Sequence, residues 1–489
     1  MWEYLDSKKR SIVIALMVAM FLGAVEGTVV TTAVPTIVKD LNGFQLISWV
    51  FSLYLLTSAI STPIYGKLAD LFGRKNILSI GIIIFITGSC LCGISGNMYQ
   101  LIAFRAIQGL GAGAIFTVTY TIVGDVFDIT ERARVQGWIG TVWGVASLAG
   151  PFLGGFLIDY LSWHWIFFIN LPFGILSVIM LQRNLKEDFE KKKHKIDYAG
   201  SLVLTVIIIS FLYSTLSDSE GTLFTITRSL PIIFALFMIV IFYFIEVKAD
   251  EPIIPFEIFT KTNIIVNIIS FLSSAILIGA DVYMPLYIQN VLGFSATISG
   301  LSMAPMSISW LLSSVILGKA IPKYGERVVV AFSLFIILLS CSLLPTLGIS
   351  SSLILVLLYV FIMGFGFGGC FTTLTITVQS VVDYTKRGAA TASNSLLRTL
   401  GQTLGVSILG GLFNTEIRKY FINIGVRGIN PQNLYSASKI NNNISLNTIK
   451  NSLNFGLHTI FIILIVLSII SFMLSFILSN SLKKNNIKN

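Results

Sequence analysis

Fourteen stretches of about 20 apolar residues dominate this chain. Each is long enough to cross a hydrocarbon core roughly 30 Å thick at about 1.5 Å of rise per residue. They start near Ile12, Ile47, Ile77, Leu101, Val135, Trp163, Asp197, Ser229, Ile264, Ala296, Val328, Ser352, Ala390 and His458. In a bilayer every backbone polar group must be satisfied within the protein, and no stretch alternates as a barrel strand does, so these segments can only be helices. Of the 489 residues, 55% are hydrophobic and 11% charged, less than half of the roughly 25% charged in a soluble domain. A water-soluble enzyme and a disordered chain are both excluded. The expected fold is an all-α integral membrane protein with 14 transmembrane helices. The first stretch, Ile12 to Val34, is too long for a signal-peptide core and lacks a small-residue cleavage site, so it is expected to be retained.

The charges that remain are sorted by position. The chain has 33 Lys and Arg against 23 Asp and Glu, a net charge of +10. With the N-terminus in the cytoplasm, 24 basic residues fall on the cytoplasmic side and 7 on the other, while Arg105 and Arg398 lie inside spans. This bias follows the positive-inside rule. It predicts a multi-pass protein with both termini cytoplasmic and no nucleic-acid partner; the plasma membrane of a bacterial cell is the expected location. Cys90, Cys92, Cys341 and Cys370 all fall in expected spans, and His164, His194 and His458 are scattered. No metal site is expected from them. Neither a GxxxxGK[ST] phosphate loop nor a nucleophile constellation occurs, so no ATP site, no other cofactor and no enzymatic activity are expected.

The chain repeats itself. Residues 109–132 and 364–387 share ten of 24 positions at an offset of 255, including Gly109/Gly364, Gly111/Gly366 and Phe116/Phe371. Gly66, Lys67 and Gly73 recur as Gly318, Lys319 and Gly325 at an offset of 252, and Gly154 and Gly155 as Gly410 and Gly411 at 256. Same-direction repeats of this kind are a transporter architecture with the substrate site between the halves. The expected division is an N-terminal six-helix bundle over 1–182, cytoplasmic linkers and two inserted helices over 183–263, and a C-terminal six-helix bundle over 264–489. The last includes a long outward loop at 413–457, where Tyr420, Phe421 and Tyr435 can fold back onto the protein. Residues 183–196 form a basic linker suited to anionic lipid headgroups.

Several motifs sit on this frame. Gly66, Asp70, Gly73 and Arg74 lie in the short cytoplasmic turn between the second and third spans. Two glycines permit the turn, Asp70 can accept hydrogen bonds at a helix end, and Arg74 anchors at the headgroups. This pattern resembles the loop signature of the major facilitator superfamily. Arg105, Gln108, Gly109 and Gly111 are similar to its fourth-helix motif, and Gly150, Pro151, Gly154 and Gly155 to its antiporter motif. Trp163 to Pro172, and Asn394 to Gly401, resemble patterns of its fourteen-helix drug/proton antiporter family. Two departures stand out: Glu26 and Thr31 where that family commonly has aspartate and asparagine, and His164 where arginine is usual.

Ionisable groups inside spans cost at least about 2.5 kcal/mol each at the bilayer centre unless paired or hydrated. Four qualify: Glu26, Arg105, Asp281 and Arg398. Helix rise puts Glu26 roughly 21 Å from the cytoplasmic side and Arg105 some 7 Å from the outer side, which allows them to pair. Arg398 lies about 12 Å from the inner side and Asp281 in the outer third, which disfavours a bridge between them. Glu26 and Asp281 are separated by 255, the repeat offset, so the pair reads as proton-coupling carboxylates facing one cavity, with Arg105 beside Glu26. Trp49, Tyr54, Gln108, Tyr283, Gln289 and Asn394, with Arg398, are candidate cavity residues for flat or cationic compounds. Together with the resemblance, this implies a monomeric, proton-coupled exporter of hydrophobic or cationic drugs, working by alternating access with small-molecule drugs, protons and membrane lipids as partners. A lipid, siderophore or metabolite as cargo, or a non-transporting receptor or scaffold, stays open.

Overall fold

Each apolar stretch forms a helix in the computed structural model, which describes residues 6–127, 129–185, 197–216, 226–249, 252, 257, 259–382, 387–426 and 445–478. In chain order the helices are α1 (Ser7–Leu41), α2 (Ile47–Phe72), α3 (Arg74–Gly93), α4 (Met98–Val126), α5 (Ile129–Tyr160), the short α6 (Trp165–Phe168) and α7 (Asn170–Asn184). They continue as α8 (Tyr198–Leu216), α9 (Ile226–Lys248), α10 (Lys261–Leu286), α11 (Ala296–Tyr324), α12 (Glu326–Leu343), α13 (Leu353–Ser380), α14 (Arg387–Asn423) and α15 (Leu446–Ser475). A five-residue π-helical turn, Tyr287–Val291, extends α10. No strand occurs among the described residues. Side-chain oxygens of Asn97, Thr260, Ser295, Ser352 and Ser445 cap five helix N-termini, accepting from backbone N–H groups that lack a helical partner.

Among the described residues, twelve helices are long and apolar enough to cross a membrane, against the fourteen expected. The two expected helices not among those twelve are the one near Val135, now α5, and the one near Asp197, now α8. In α8 the apolar part is a shorter run, Ala199–Phe211. Some side chains of both helices lie outside the described part of the structure.

The repeat is present as packing. Glycines of α4 let it approach α2 on one side and α3 on the other, and those of α13 do the same with α11 and α12. A Cβ at Gly109 would meet Thr57 and Tyr54, and one at Gly364 would meet Ser309 and Met306. Gly113 lies against Ser61 and Ser58, and Gly368 against Ser313 and Trp310. Gly111 abuts Gly81 and Phe85, and Gly366 abuts Ser333 and Ile337. Every partner pair is 252 residues apart. The turns repeat too: Gly73 (φ 91°) and Gly325 (φ 86°) end α2 and α11 in a backbone region essentially reserved for glycine. Gly111→Val and Gly366→Val should therefore each destabilise by about 1–3 kcal/mol, because a branched side chain would overpack against neighbouring backbone. Thermal unfolding in detergent checks this, with Gly348→Ala, which meets nothing within 4 Å, as the unaffected control.

Two groups of helices result. In the first, α1 packs on α5 and α7, and α4 on α2 and α3; in the second, α10 packs on α14, and α13 on α11 and α12. α8 and α9 pack on each other, and α8 also leans on α2 and α14 across both groups.

The long loop is shorter than expected. α14 continues as helix through Asn423, and α15 begins at Leu446. Phe413, Ile417 and Phe421, spaced four apart, bury one face of this extension. Phe413 packs against Gly456 of α15, and Tyr420 lies 5.8 Å from the ring of Phe455. The polar residues between them lower the average hydropathy, which made an amphipathic helix read as a loop. Tyr435 falls outside the described residues.

Candidate functional site

Five helices of the first group enclose a buried polar network. Gly109 and Gly113 bring α4 against α2, which lays the Arg105 guanidinium 4.0 Å from the centre of the Tyr54 ring. Arg105 Nε donates to the Val50 carbonyl at 3.3 Å, and Nη1 donates to Gln108 Oε1 at 2.8 Å and to Glu26 Oε1 on α1. The other oxygen, Glu26 Oε2, accepts from Asn170 Nδ2 on α7 at 2.7 Å. Asn170 is also 3.0 Å from Ser89 Oγ on α3, which itself donates to the Phe167 carbonyl. Cys92 Sγ approaches Gln108 Oε1 at 3.8 Å. Glu26 and Arg105 are each 1% exposed. A buried ion pair holds only where its remaining donors and acceptors are also met, and here two amides and a carbonyl do that. The buried Tyr54 hydroxyl and Gln108 Nε2 have no hydrogen-bond partner among the described residues.

Of these residues, Asn170, Ser89 and Cys92 were not assigned a role from sequence. Asn170 is the one polar residue in the apolar run Trp165–Leu176, which is the trace its role leaves in the sequence.

The second group is built differently. Asp281, 255 residues after Glu26, is half-buried on α10 with no hydrogen bond or ion pair among the described residues. Arg398 on α14 is also half-buried and lies 4.0 Å from the Phe371 ring centre. α10 and α14 run parallel, with Gly401 against Phe271 and Gly405 against Ala275. That register separates Asp281 and Arg398 by about 13 residues, roughly 20 Å along the axis, and no bridge joins them. Asn394 Nδ2 donates to Asn267 Oδ1 at 2.7 Å and to Ser270 Oγ at 3.0 Å, forming a polar contact between these two helices.

The remaining candidates gather where the two groups meet, at the end remote from the termini. Gln289 Nε2 donates to the Thr32 carbonyl at 2.9 Å, the Ser52 and Ser407 hydroxyls are 2.7 Å apart, and Asn414 donates to the Gln45 carbonyl at 3.1 Å. Tyr283 packs edge-on to Phe413, 5.2 Å between centroids, beside Gly410 and Ser48. Trp49 packs among apolar residues of α2, α8 and α14. In the antiporter motif, Gly150 and Gly154 sit against Thr28 and Val29 of α1, while Gly155 sits against Ala296 and Thr297 of α11. Asp159 Oδ2 accepts from the Thr297 backbone N–H at 2.9 Å. Trp163 Nε1 donates to Asp40 at 2.8 Å, and the His164 ring stacks on Trp163 at 3.8 Å. In the loop motif between α2 and α3, a Cβ at Gly66 would lie 3.5 Å from Thr117 and one at its counterpart Gly318 would lie 3.9 Å from Thr372. Gly73 ends α2 and Arg74 opens α3, whose Lys75 donates to the Gln182 carbonyl at 2.9 Å. The side chains of Asp70 and Pro151 are outside the described part of the structure. No cluster of His, Cys, Asp and Glu able to hold a metal occurs among the described residues.

Known proteins share both the sequence pattern and the fold. The pattern defining the Major Facilitator Superfamily matches residues 16–406. The multidrug transporter protein MdtP of Bacillus subtilis strain 168 is 36% identical over 413 residues, covering 84% of this chain and 76% of its own. Multidrug resistance protein 3 of the same organism is 35% identical, covering 83% and 80%. The multidrug efflux pump SdrM of Staphylococcus aureus strain N315 is 30% identical, covering 87% and 93%. Among solved structures, a bacterial homolog of the human lysosomal transporter Spinster, inward-facing and unoccupied, superposes with a TM-score of 0.72 at 15% identity over 98% of both chains. With its helical membrane fold, its duplicated packing and these relatives, the chain belongs to the Major Facilitator Superfamily of membrane transporters and is not an enzyme.

Proposed function

We propose that this transporter exports hydrophobic, often cationic, aromatic drugs from a bacterial cell in exchange for protons. The observation that carries this reading is the buried Glu26–Arg105 pair, a carboxylate able to take up a proton at the heart of a helix bundle whose relatives carry multidrug names. When Glu26 is ionised, it holds α1 to α4 and α7 through Arg105 and Asn170. Protonation removes the charge that Arg105 neutralises and loosens that hold. Asp281, 255 residues further on in the other half, is a second intramembrane carboxylate able to take up a proton. No ATP or other cofactor is needed, since the proton gradient supplies the work.

The two groups of helices act as six-helix bundles over 1–182 and 264–489, joined by 183–263, and α5 and α8 complete fourteen crossings. With both termini cytoplasmic by the positive-inside rule, the contacts between bundles lie on the outer side, including Ser52–Ser407 and Gln289–Thr32. The conformation is then closed outward, and rocking the bundles about this seam alternates access. Protein reconstituted in liposomes and given a cationic aromatic dye tests the reading. A pH gradient should drive dye accumulation up to about tenfold per unit of gradient when one proton exchanges for each dye cation, and a protonophore should abolish it. Dye movement indifferent to the gradient would reject proton coupling.

A further inference from the structure

The two arginines inside the spans share one arrangement and differ in one part. Arg105 and Arg398 each lie 4.0 Å from an aromatic centre, Tyr54 and Phe371 respectively. Arg105 has Glu26 as its counter-ion, whereas Arg398 has no carboxylate and no hydrogen-bond acceptor among the described residues. The described acidic groups nearest in the packing are elsewhere: Asp281 is roughly 20 Å along the axis, and Glu416 pairs with Lys419 near the far end of α14. Nearer groups are neutral or already engaged. Cys370 faces Ser273 at 3.8 Å, and Asn394, one turn before Arg398, is held by Asn267 and Ser270.

A guanidinium stays charged and carries five N–H donors around its edge, and a ring beneath its face satisfies none of them. The stack instead holds the face of Arg398 and leaves its N–H edge without an acceptor among the described residues. The platform is rigid: Phe371 is buried and stacks on Phe367 at 5.8 Å and on Trp310 at 5.4 Å. Trp310 is half-buried and extends the ring surface.

We propose that Arg398 is the carboxylate subsite of the transport cavity, taking the acidic group of an aromatic amphiphile whose ring lies along Trp310 and Phe371. The ligand supplies the counter-ion that Glu26 supplies to Arg105. The inference rests on the transport reading for the cavity's purpose and widens the cargo from cations to aromatic acids and zwitterions.

Purified protein and tritiated 2-naphthylacetate in a scintillation proximity assay test it, with 2-naphthylacetamide and 2-naphthylmethyltrimethylammonium as competitors of the same ring and different charge. Wild-type protein should bind the acid about tenfold or more tightly than the amide, the scale of a charge-assisted hydrogen bond. Arg398→Gln should lower affinity for the acid to that of the amide and leave both other compounds unchanged. Arg398→Lys, which keeps the charge without the fork, should retain part of the preference, and Phe371→Leu should weaken it. An acid-to-amide ratio near one in the wild type, or one that Arg398→Gln leaves intact, would overturn the assignment. Unchanged binding of the amide shows that the variant is folded. Dye transport separates the two readings: if pH-driven transport is absent while the acid preference depends on Arg398, the transport proposal fails and the subsite stands.

Discussion

Glu26→Gln is expected to bring pH-driven dye transport in proteoliposomes to background and to destabilise the fold by about 3–5 kcal/mol, the scale of removing one partner from a buried ion pair. The glutamine keeps shape and one acceptor for Asn170 but leaves Arg105 buried without a counter-ion. Loss of transport through misfolding and loss through uncoupling are distinguished by the double variant Glu26→Gln/Arg105→Gln. It should recover much of the stability, since no uncompensated charge remains, yet stay inactive. Glutamine also imitates the protonated carboxyl. The stability gap between wild type and Glu26→Gln should therefore be widest where Glu26 is ionised and shrink as falling pH protonates it. Retained pH-driven transport in Glu26→Gln combined with Asp281→Asn would remove both carboxylates from the coupling mechanism.

Gly155→Leu should trap the seam between the bundles open. Gly155 lies against the backbone of Ala296 and Thr297, so any larger side chain pushes α5 from α11 at the end where the bundles close. Overpacking of this kind costs about 1–3 kcal/mol, which near its middle shifts an open–closed equilibrium roughly tenfold or more. The readout is a disulfide between Ser52→Cys and Ser407→Cys, positions whose hydroxyls are 2.7 Å apart in the closed seam, on a background with Cys90, Cys92, Cys341 and Cys370 replaced. Crosslinking should be rapid with Gly155 and about tenfold slower with leucine, and transport should fall with it. Equal crosslinking in both would show that Gly155 does not control closure. Because the contact lies between bundles, each bundle should keep its unfolding temperature.

The helical class, the duplication and the short catalogue of intramembrane charges were legible in the sequence for one reason. Each is a local or periodic property: an apolar run of fixed length, a glycine every second position in α4 and α13, a charge whose burial is costly wherever it points. The Glu26–Arg105 pair was reachable by depth arithmetic alone, since two residues at one height on neighbouring helices need only face each other. Where an amphipathic helix carried many polar residues, as in Phe413–Asn423, average hydropathy misread it, because burial there depends on one face and not on the mean.

The sequence by itself determined that this chain spans a membrane as a twofold helical repeat and that Glu26, Arg105, Asp281 and Arg398 are its costly residues. Only the tertiary structure decided their relationships. It gave Glu26 an amide from α7 as well as its arginine, left Asp281 without a partner and set Arg398 on an aromatic platform with no counter-ion among the described residues, and joined the bundles at one end through serines, glycines and Gln289. The physical reason is rotational phase. A residue's depth follows from counting at a fixed rise per residue, but the partner it meets depends on the azimuth and spacing of helices packed from distant parts of the chain.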